Sequence, residues 1–188
     1  GQVGQGQGRL GRGGHVDHRR GSRAAGFVHE SADAELVAPG ARVRECPFAR
    51  PRADSLVLSY IVTGRMSDIR MPHATTAGRS DELWRHTCFE AFVRASSGVE
   101  YYEFNFAPST QWAAYRFSSY RSGMSVATEI GTPPIDVRSS PDCYTLQTSL
   151  ELDRLSDLPR KALWRLGLSA LIEDTGGHKS YWALAHPP

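Results

Sequence analysis

Tyr101-Tyr-Glu-Phe-Asn-Phe106 is the stretch that decides the fold, because large apolar residues alternate there with others before the chain reaches Pro108. Side chains two residues apart lie on the same face of a β-strand. The even-numbered residues of the stretch are therefore expected to face a core. Tyr101, Glu103 and Asn105 are expected to lie together on the opposite face.

Similar short runs, rich in β-branched and aromatic residues, recur along the chain with turn residues between them. They are residues 56–62, 87–93, 112–117, 144–150, 166–172 and 180–185. A short connection joins Phe106 to the run 112–117, and Thr175-Gly-Gly177 precedes the last run, so two hairpins are predicted. Between Leu152 and Trp164 we expect a loop with one helical turn at most. The whole pattern predicts an all-β, antiparallel β-sandwich.

The length of 188 residues fits one folded domain. Residues 1–34 are rich in Gly, Gln, Arg and His, and we expect them to be a disordered Arg/Gly-rich leader ahead of a sandwich domain over 35–188. The net charge of +2 and a leader whose arginines lack interleaved aromatic residues argue against a nucleic-acid partner. No apolar run is long enough to span a membrane and no secretory segment is recognised, so a cytoplasmic location is expected.

Cysteines and sequence motifs give little sign of catalysis. Cys46, Cys88 and Cys143 are widely spaced, without zinc-ligand spacing, and are expected to be free thiols. The chain has no phosphate-binding loop, nucleophile elbow, zinc-protease motif or dinucleotide fingerprint. No catalytic residue, metal or cofactor is therefore predicted.

Glu90 lies in the middle of a predicted strand, where a carboxylate is costly to bury without a partner. Arg85, Arg116 and Arg121 are the available cations, so a structural ion pair is one interpretation, and a glutamate facing solvent is another. The functional interpretation is that Glu90 and Glu103 accept hydrogen bonds from ligand hydroxyls. A glycosidase carboxylate pair is disfavoured, because the sequence shows no pocket that would raise the pKa of an acid.

Trp84 differs from the other tryptophans because it follows the polar stretch 78–82 and so enters from a loop. A tryptophan inside a sandwich usually fills the core or its rim. An indole at the edge of a loop offers a flat apolar platform for a sugar ring. His86, together with Met66, Met71 or Met124, raises a different hypothesis, haem iron held by His and Met, although no haem-attachment motif is present.

Several segments stand in a fixed order along the chain. They are Asp81-Glu-Leu-Trp-Arg-His-Thr-Cys-Phe-Glu-Ala-Phe-Val93, Tyr102-Glu-Phe-Asn-Phe-Ala-Pro-Ser109, Gln111-Trp-Ala-Ala-Tyr-Arg-Phe117, Tyr120-Arg-Ser-Gly-Met124 and Ser180-Tyr-Trp-Ala-Leu-Ala-His-Pro-Pro188. From about Val43 onward the chain thereby resembles the bacterial DOMON-like domain family, whose sandwich is similar to family 9 carbohydrate-binding modules and to haem- or sugar-binding DOMON domains. The resemblance implies a ligand-binding β-sandwich, with sugars as the leading ligand class, and does not imply catalysis.

The same resemblance places Trp84 and Glu90 in the segment similar to the Trp-to-Glu stretch of the carbohydrate modules, and Glu103 in the strand that follows. Two departures stand out. Thr110 occupies a turn position where the family usually has Gly, so the turn is strained or rebuilt if it needs a positive φ. The chain stops at Pro188, where family members continue into a last strand, so we expect an exposed C-terminal sheet edge that permits self-association.

The sequence thus predicts a non-catalytic, carbohydrate-binding sandwich whose partner is a small molecule or oligosaccharide. In the predicted mode a ring stacks on the Trp84 indole while polar side chains hydrogen-bond its hydroxyls. The predicted ligand-binding residues are Trp84, Glu90, Glu103, Asn105, Trp112 and Arg116. The alternatives are a haem-binding or electron-transfer domain, and an interaction module with no small ligand.

Overall fold

The computed structural model describes residues 35–38, 41–49, 55–155, 158 and 163–183, with side chains described from residue 55 onward. The predicted leader over 1–34 lies outside the described residues. The strands are β1 Glu35–Ala38, β2 Ala41–Ala49, β3 Ser55–Gly64, β4 Gly78–Arg79, β5 Cys88–Ala95, β6 Tyr101–Phe106, β7 Gln111–Phe117, β8 Ser125–Val126, β9 Ile135–Ser139, β10 Cys143–Glu151, β11 Trp164–Glu173 and β12 Lys179–Ala183. The 3₁₀ turns are Met66–Asp68, Leu83–Arg85 and Leu152–Arg154.

The strands form two sheets. The smaller has the order β1-β2-β3-β10-β9 and the larger the order β12-β11-β5-β6-β7-β4, with β8 also paired to β7. Neighbouring strands within each sheet are antiparallel, except for the short parallel pair of β4 with β7. The prediction of an all-β sandwich is confirmed, and the hairpins β6–β7 and β11–β12 are present as predicted. Strands β1, β2, β4, β8 and β9 were not predicted.

Aromatic side chains from both sheets meet in the core. The ring of Phe89 on β5 lies 5.0 Å from that of Tyr60 on β3 and is stacked 5.9 Å from that of Tyr144 on β10, centroid to centroid. The tyrosine hydroxyl of Tyr60 donates a hydrogen bond of 2.8 Å to the backbone oxygen of Glu90. The even-numbered residues of β6 also face this core, as the alternation predicts, and none of them is more than 1% exposed.

The opposite face of the larger sheet, here called the outer face, carries a second apolar cluster. Its members are Phe92, Tyr101, Ala113, Tyr115 and Phe117. Leu83 and Trp84 pack against this cluster, and the 3₁₀ turn that holds them contacts β5, β6 and β7. Polar residues on the outer face therefore lie beneath or beside a loop and are not spread over an open sheet surface.

The turn between β6 and β7 has a positive φ of 68° at Thr110, which is the conformation under which strain was expected at this position. A β-branched residue rarely adopts this conformation. The turn is closed by the Thr110 amide, which donates 3.0 Å to the oxygen of Ala107. It is also held from outside, because the Thr110 hydroxyl donates 2.7 Å to the oxygen of Thr75. The segment around Thr75 thereby helps to stabilise the strained turn.

Candidate functional site

The outer face brings together three of the predicted polar residues. Glu90 on β5 is directly opposite Asn105 on β6, and Glu103 on β6 is opposite both Phe92 and Tyr115. Residues opposite each other in an antiparallel pair share a face. The prediction that Glu103 and Asn105 lie together is therefore confirmed, and Glu90 joins them.

Glu90 is buried, with only 4% of its surface exposed. Its Oε2 accepts a hydrogen bond of 2.5 Å from the hydroxyl of Ser169, which lies opposite it on β11. Burial and, next, the charge of Glu103 raise the pKa of Glu90 to about 7, while the Ser169 bond and the Arg121 charge favour the ionised form. Glu90 is therefore a carboxyl group that changes charge near neutral pH.

Asn105 is fully buried and fixes the position of the neighbouring carboxylate. Its Nδ2 donates a hydrogen bond of 3.1 Å to Glu103 Oε1. Behind it, Cys88 Sγ lies 4.0 Å from Asn105 Oδ1, and burial, followed by Glu90 and Glu103, raises the pKa of the Cys88 thiol. Glu103 itself is only half-buried, so it is the acid of this face that a ligand can reach.

Trp84 lies over the same face. It is half-buried, and its ring meets that of Tyr115 edge-on, with centroids 5.7 Å apart and planes at 66°. The 3₁₀ turn that carries Trp84 begins after Glu82, whose φ is 62°. Arg85 Nη2 closes the turn by binding Glu82 Oε1 at 2.9 Å. The indole is thus placed beside Tyr115, whose cross-strand neighbour is Glu103.

Both ends of the Trp84 turn are anchored to the sheet. Before the turn, the Tyr115 hydroxyl donates a hydrogen bond of 2.7 Å to Asp81 Oδ1. Burial, followed by the interaction with Asp81, raises the pKa of Tyr115. After the turn, His86 Nδ1 lies 2.6 Å from Oε2 of the buried Glu173, whose Oε1 is 3.2 Å from Arg70 Nη1. A side chain on a turn held at both ends needs little reordering when it binds a ligand.

Arg121 belongs to this site, although the sequence identified it only as one of three partners for Glu90. It follows β7 in a tight turn, has φ 55°, and its backbone amide donates 3.4 Å to the Tyr101 hydroxyl. Gly123, at φ 65°, closes the turn where a side chain would collide with the Ser118 hydroxyl. Non-glycine residues at positive φ cost roughly 1–2 kcal/mol each and concentrate at functional sites, and among the described residues Arg121 and Glu82 both flank this face.

The prediction that Trp112 and Arg116 share the site is wrong. Trp112 is opposite Phe106 and Arg116 is opposite Tyr102, so both are on the core-facing side of β7. Trp112 is 4% exposed in the core between the sheets, and its indole Nε1 is buried without a hydrogen-bond partner among the described residues. Trp112 and Ala114 are buried in the core, whereas Arg116, on the same side of β7, is exposed.

The residues that prompted the haem hypothesis lie in different surroundings. His86 is exposed on its outer side while its Nδ1 contacts Glu173. Met66 is buried in the core, Met71 packs against the core, and Met124 is exposed after β7. Within the described ranges, no group of three or more His, Cys, Asp or Glu residues is arranged to hold a metal ion.

No described helix has the length and apolar character needed to cross a membrane.

Comparison with known proteins adds a structural neighbour. No protein-family model matches the chain, and no curated protein matches it. A crystal structure of a protein named "putative carbohydrate-binding protein", from Bacteroides uniformis ATCC 8492, is similar with a TM-score of 0.52 and 13% sequence identity over 87% of this chain and 81% of that one. At this identity the likeness supports the sandwich fold, and membership of the DOMON-like family stays a prediction.

Proposed function

We propose that the outer face binds carbohydrate without catalysing a reaction on it. The observation that carries this function is the cross-strand row in which the half-buried Glu103 lies between Phe92 and Tyr115, with Trp84 packed on Tyr115. Ligand sites commonly combine aromatic walls with a few fixed polar groups. The structural neighbour from Bacteroides uniformis, itself named for carbohydrate binding, is in keeping with this function.

Trp84 supplies the apolar contact. A sugar ring presents C–H groups on its faces, and covering them with an indole removes apolar surface from water. The turn that carries Trp84 is closed by the Arg85–Glu82 ion pair and anchored by the Tyr115–Asp81 hydrogen bond. The platform is therefore in place before a ligand arrives, which lowers the entropy cost of binding.

Glu103 supplies the polar contact. Its carboxylate is oriented by the hydrogen bond from Asn105, and a hydrogen bond between a charged group and a sugar hydroxyl contributes about 1.5–3 kcal/mol net. Glu90 and Asn105 are too deeply buried to touch a ligand, and Asn105 acts by holding Glu103 in position. Arg121, exposed at the rim, is the second group within reach of hydroxyls.

One observation favours a second candidate, glycoside hydrolysis. The pKa of Glu90 is raised to about 7 beside another carboxyl group, which is the arrangement of an acid with its partner carboxylate. Against it, Glu90 is only 4% exposed, so its proton is not presented to a glycosidic oxygen of a bound ligand. Turnover of a panel of nitrophenyl glycosides that is lost in Glu90→Gln would establish hydrolysis in place of simple binding.

The test of binding is calorimetric titration of a glycan panel against the wild type and matched variants. Trp84→Ala and Glu103→Gln are expected to weaken binding about tenfold or more, whereas Glu100→Gln, the same change at an exposed position before β6, is expected to leave it unaltered. Equal affinity in Trp84→Ala and wild type, or no binding by any saccharide at millimolar concentration, would contradict the proposed function. A Soret shift on adding haemin would point instead to the haem-binding alternative.

A further inference from the structure

Exposed apolar side chains gather in the segment that follows β7. Among the described residues five large apolar side chains are exposed, and three of them belong to the stretch 120–126. These three are Tyr120, Met124 and Val126, which are 63%, 49% and 46% exposed and are here called the apolar strip. A single exposed apolar residue is ordinary on a protein surface, whereas a group of them commonly marks a binding site.

Strand register places the strip beside the carbohydrate site proposed above. Val126 on β8 is directly opposite Tyr115 on β7, and Tyr115 is opposite Glu103 on β6. Residues opposite each other in an antiparallel pair share a face, so Val126 lies on the outer face in the row of Glu103. Met124 immediately precedes β8 at the same edge of the sheet. In the described part of the chain no strand pairs with the far side of β8.

Tyr120 continues the strip around the turn that carries Arg121. The guanidinium carbon of Arg121 lies 5.4 Å from the centre of the Tyr120 ring, which is a cation–π contact. Arg121 in turn reaches the outer face, since its backbone amide donates 3.4 Å to the Tyr101 hydroxyl. The Tyr120 ring is thereby held at the rim of the outer face, next to the arginine that is within reach of sugar hydroxyls.

The strip is too far from Glu103 to be covered by the same sugar ring. Neighbouring strands are about 4.7–4.9 Å apart, so the backbones of Glu103 on β6 and Val126 on β8 are about 9–10 Å apart. Tyr115, on which the Trp84 indole packs, lies between them. A ring that stacks on Trp84 and hydrogen-bonds Glu103 therefore leaves Val126 uncovered.

The composition of the segment favours an uncharged occupant. Arg121 is the only charged residue from 118 to 127, so the strip itself offers no charge for an ionic partner. A second sugar ring suits such a surface, because its C–H faces can cover Met124 and Val126 while its hydroxyls stay in water. A ring joined to one already bound also loses less freedom on binding than a free molecule does.

On the premise that the outer face binds carbohydrate, we propose that its ligand is an uncharged oligosaccharide that occupies two neighbouring subsites. The first ring stacks on Trp84 beside Glu103, and the next ring lies over Met124 and Val126. Tyr120 extends the same apolar surface toward further rings of the chain. A monosaccharide fills the first subsite alone and leaves the strip exposed to water.

The experiment compares disaccharides with their monosaccharides by calorimetric titration: cellobiose and maltose with glucose, mannobiose with mannose, and xylobiose with xylose. Each sugar is titrated against wild type, Met124→Ser, Val126→Ser and the control Leu163→Ser. Leu163 is 66% exposed and precedes β11, which β5, β6 and β7 separate from β8. In the wild type at least one disaccharide is expected to bind about tenfold more tightly than its monosaccharide.

Met124→Ser and Val126→Ser are each expected to lower disaccharide affinity about threefold or more while monosaccharide affinity is unchanged, because only the second ring covers these residues. Leu163→Ser is expected to behave as wild type. Disaccharides that bind no better than their monosaccharides, or a disaccharide preference that survives in both variants, would overturn the second subsite and leave carbohydrate binding standing. No binding by any of these sugars, in a wild type that is folded by circular dichroism, would overturn both.

Discussion

Ser169 on β11 and Glu90 on β5 are joined side chain to side chain by a hydrogen bond of 2.5 Å across two paired strands. The bond lies on the face of the sheet turned away from the core between the sheets, yet Ser169 is 3% and Glu90 4% exposed. A carboxyl group buried in this way, with a second carboxyl group nearby, resists ionisation. The outer face therefore contains a group whose charge depends on pH in the neutral range.

Glu90→Gln should remove a pH dependence of stability. The pKa of Glu90 is about 7 in the folded protein and near its ordinary value of 4.5 when unfolded, so between these values the folded state holds a proton that the unfolded chain has lost. The stability of the wild type should therefore fall as pH rises through this window, by up to on the order of 3 kcal/mol. In urea unfolding, the free energy of unfolding of Glu90→Gln relative to that of the wild type should be higher at pH 8 than at pH 5. If the difference in unfolding free energy between wild type and Glu90→Gln is the same at both pH values, the raised pKa is contradicted. Glu100→Gln, the same change at an exposed position, is the control.

Ser169→Ala should show a pH dependence of its own. The Ser169 hydroxyl donates to the Glu90 carboxyl, and a hydrogen bond to a charged group contributes about 1.5–3 kcal/mol, compared with about 0.5–1.5 kcal/mol for a neutral pair. The loss in unfolding free energy should therefore be larger at pH 8 than at pH 5, and the pKa of Glu90 should rise further. Unfolding at both pH values and carboxyl titration by NMR measure the two effects. A loss that is the same at both pH values would mean that the bond does not distinguish the two forms of Glu90.

Tyr115→Phe should loosen the turn that carries Trp84. The change keeps the ring that Trp84 packs against and removes only the hydroxyl that donates to Asp81. Stability should fall by about 1 kcal/mol, and amide exchange over residues 82–86 should become faster. Tyr144→Phe is the matched control, because the Tyr144 hydroxyl is buried without a hydrogen-bond partner among the described residues. Unchanged exchange in Tyr115→Phe would show that the turn is held by its other contacts.

The alternation of β6 allowed the fold and the shared face of Glu103 and Asn105 to be predicted from sequence, because a period of two assigns every residue of a strand to a face. The same rule does not give the register of β7 against β6, since turn geometry sets it. Trp112 and Arg116 were therefore assigned to the wrong side. Strand β9 was missed because it is short and follows a Pro-Pro pair.

The remaining contributors to the site come from distant segments and from loops. Ser169 reaches Glu90 only through the pairing of β11 with β5, which no local pattern reveals. Arg121 is placed by a tight turn at positive φ, and the sequence around it gives no periodic signal. His86 and Glu173 are far apart in sequence and meet only when the sheet forms. Pairing across long separations is the information that strand periodicity lacks.

Thr110 allows the cost of its backbone conformation to be separated from the value of its hydroxyl. At φ 68° a residue with a Cβ is strained by roughly 1–2 kcal/mol, while the hydroxyl bond to Thr75 returns about 0.5–1.5 kcal/mol. Thr110→Ala loses the bond and keeps the strain, whereas Thr110→Gly loses both. Thr110→Gly should therefore be more stable than Thr110→Ala by about 1 kcal/mol, and Thr110→Ser, which keeps the hydroxyl, should be more stable than Thr110→Ala. Thermal and urea unfolding of the three variants measure this order, and Thr110→Ala equal to Thr110→Gly would show that the β6–β7 turn relaxes to a different backbone.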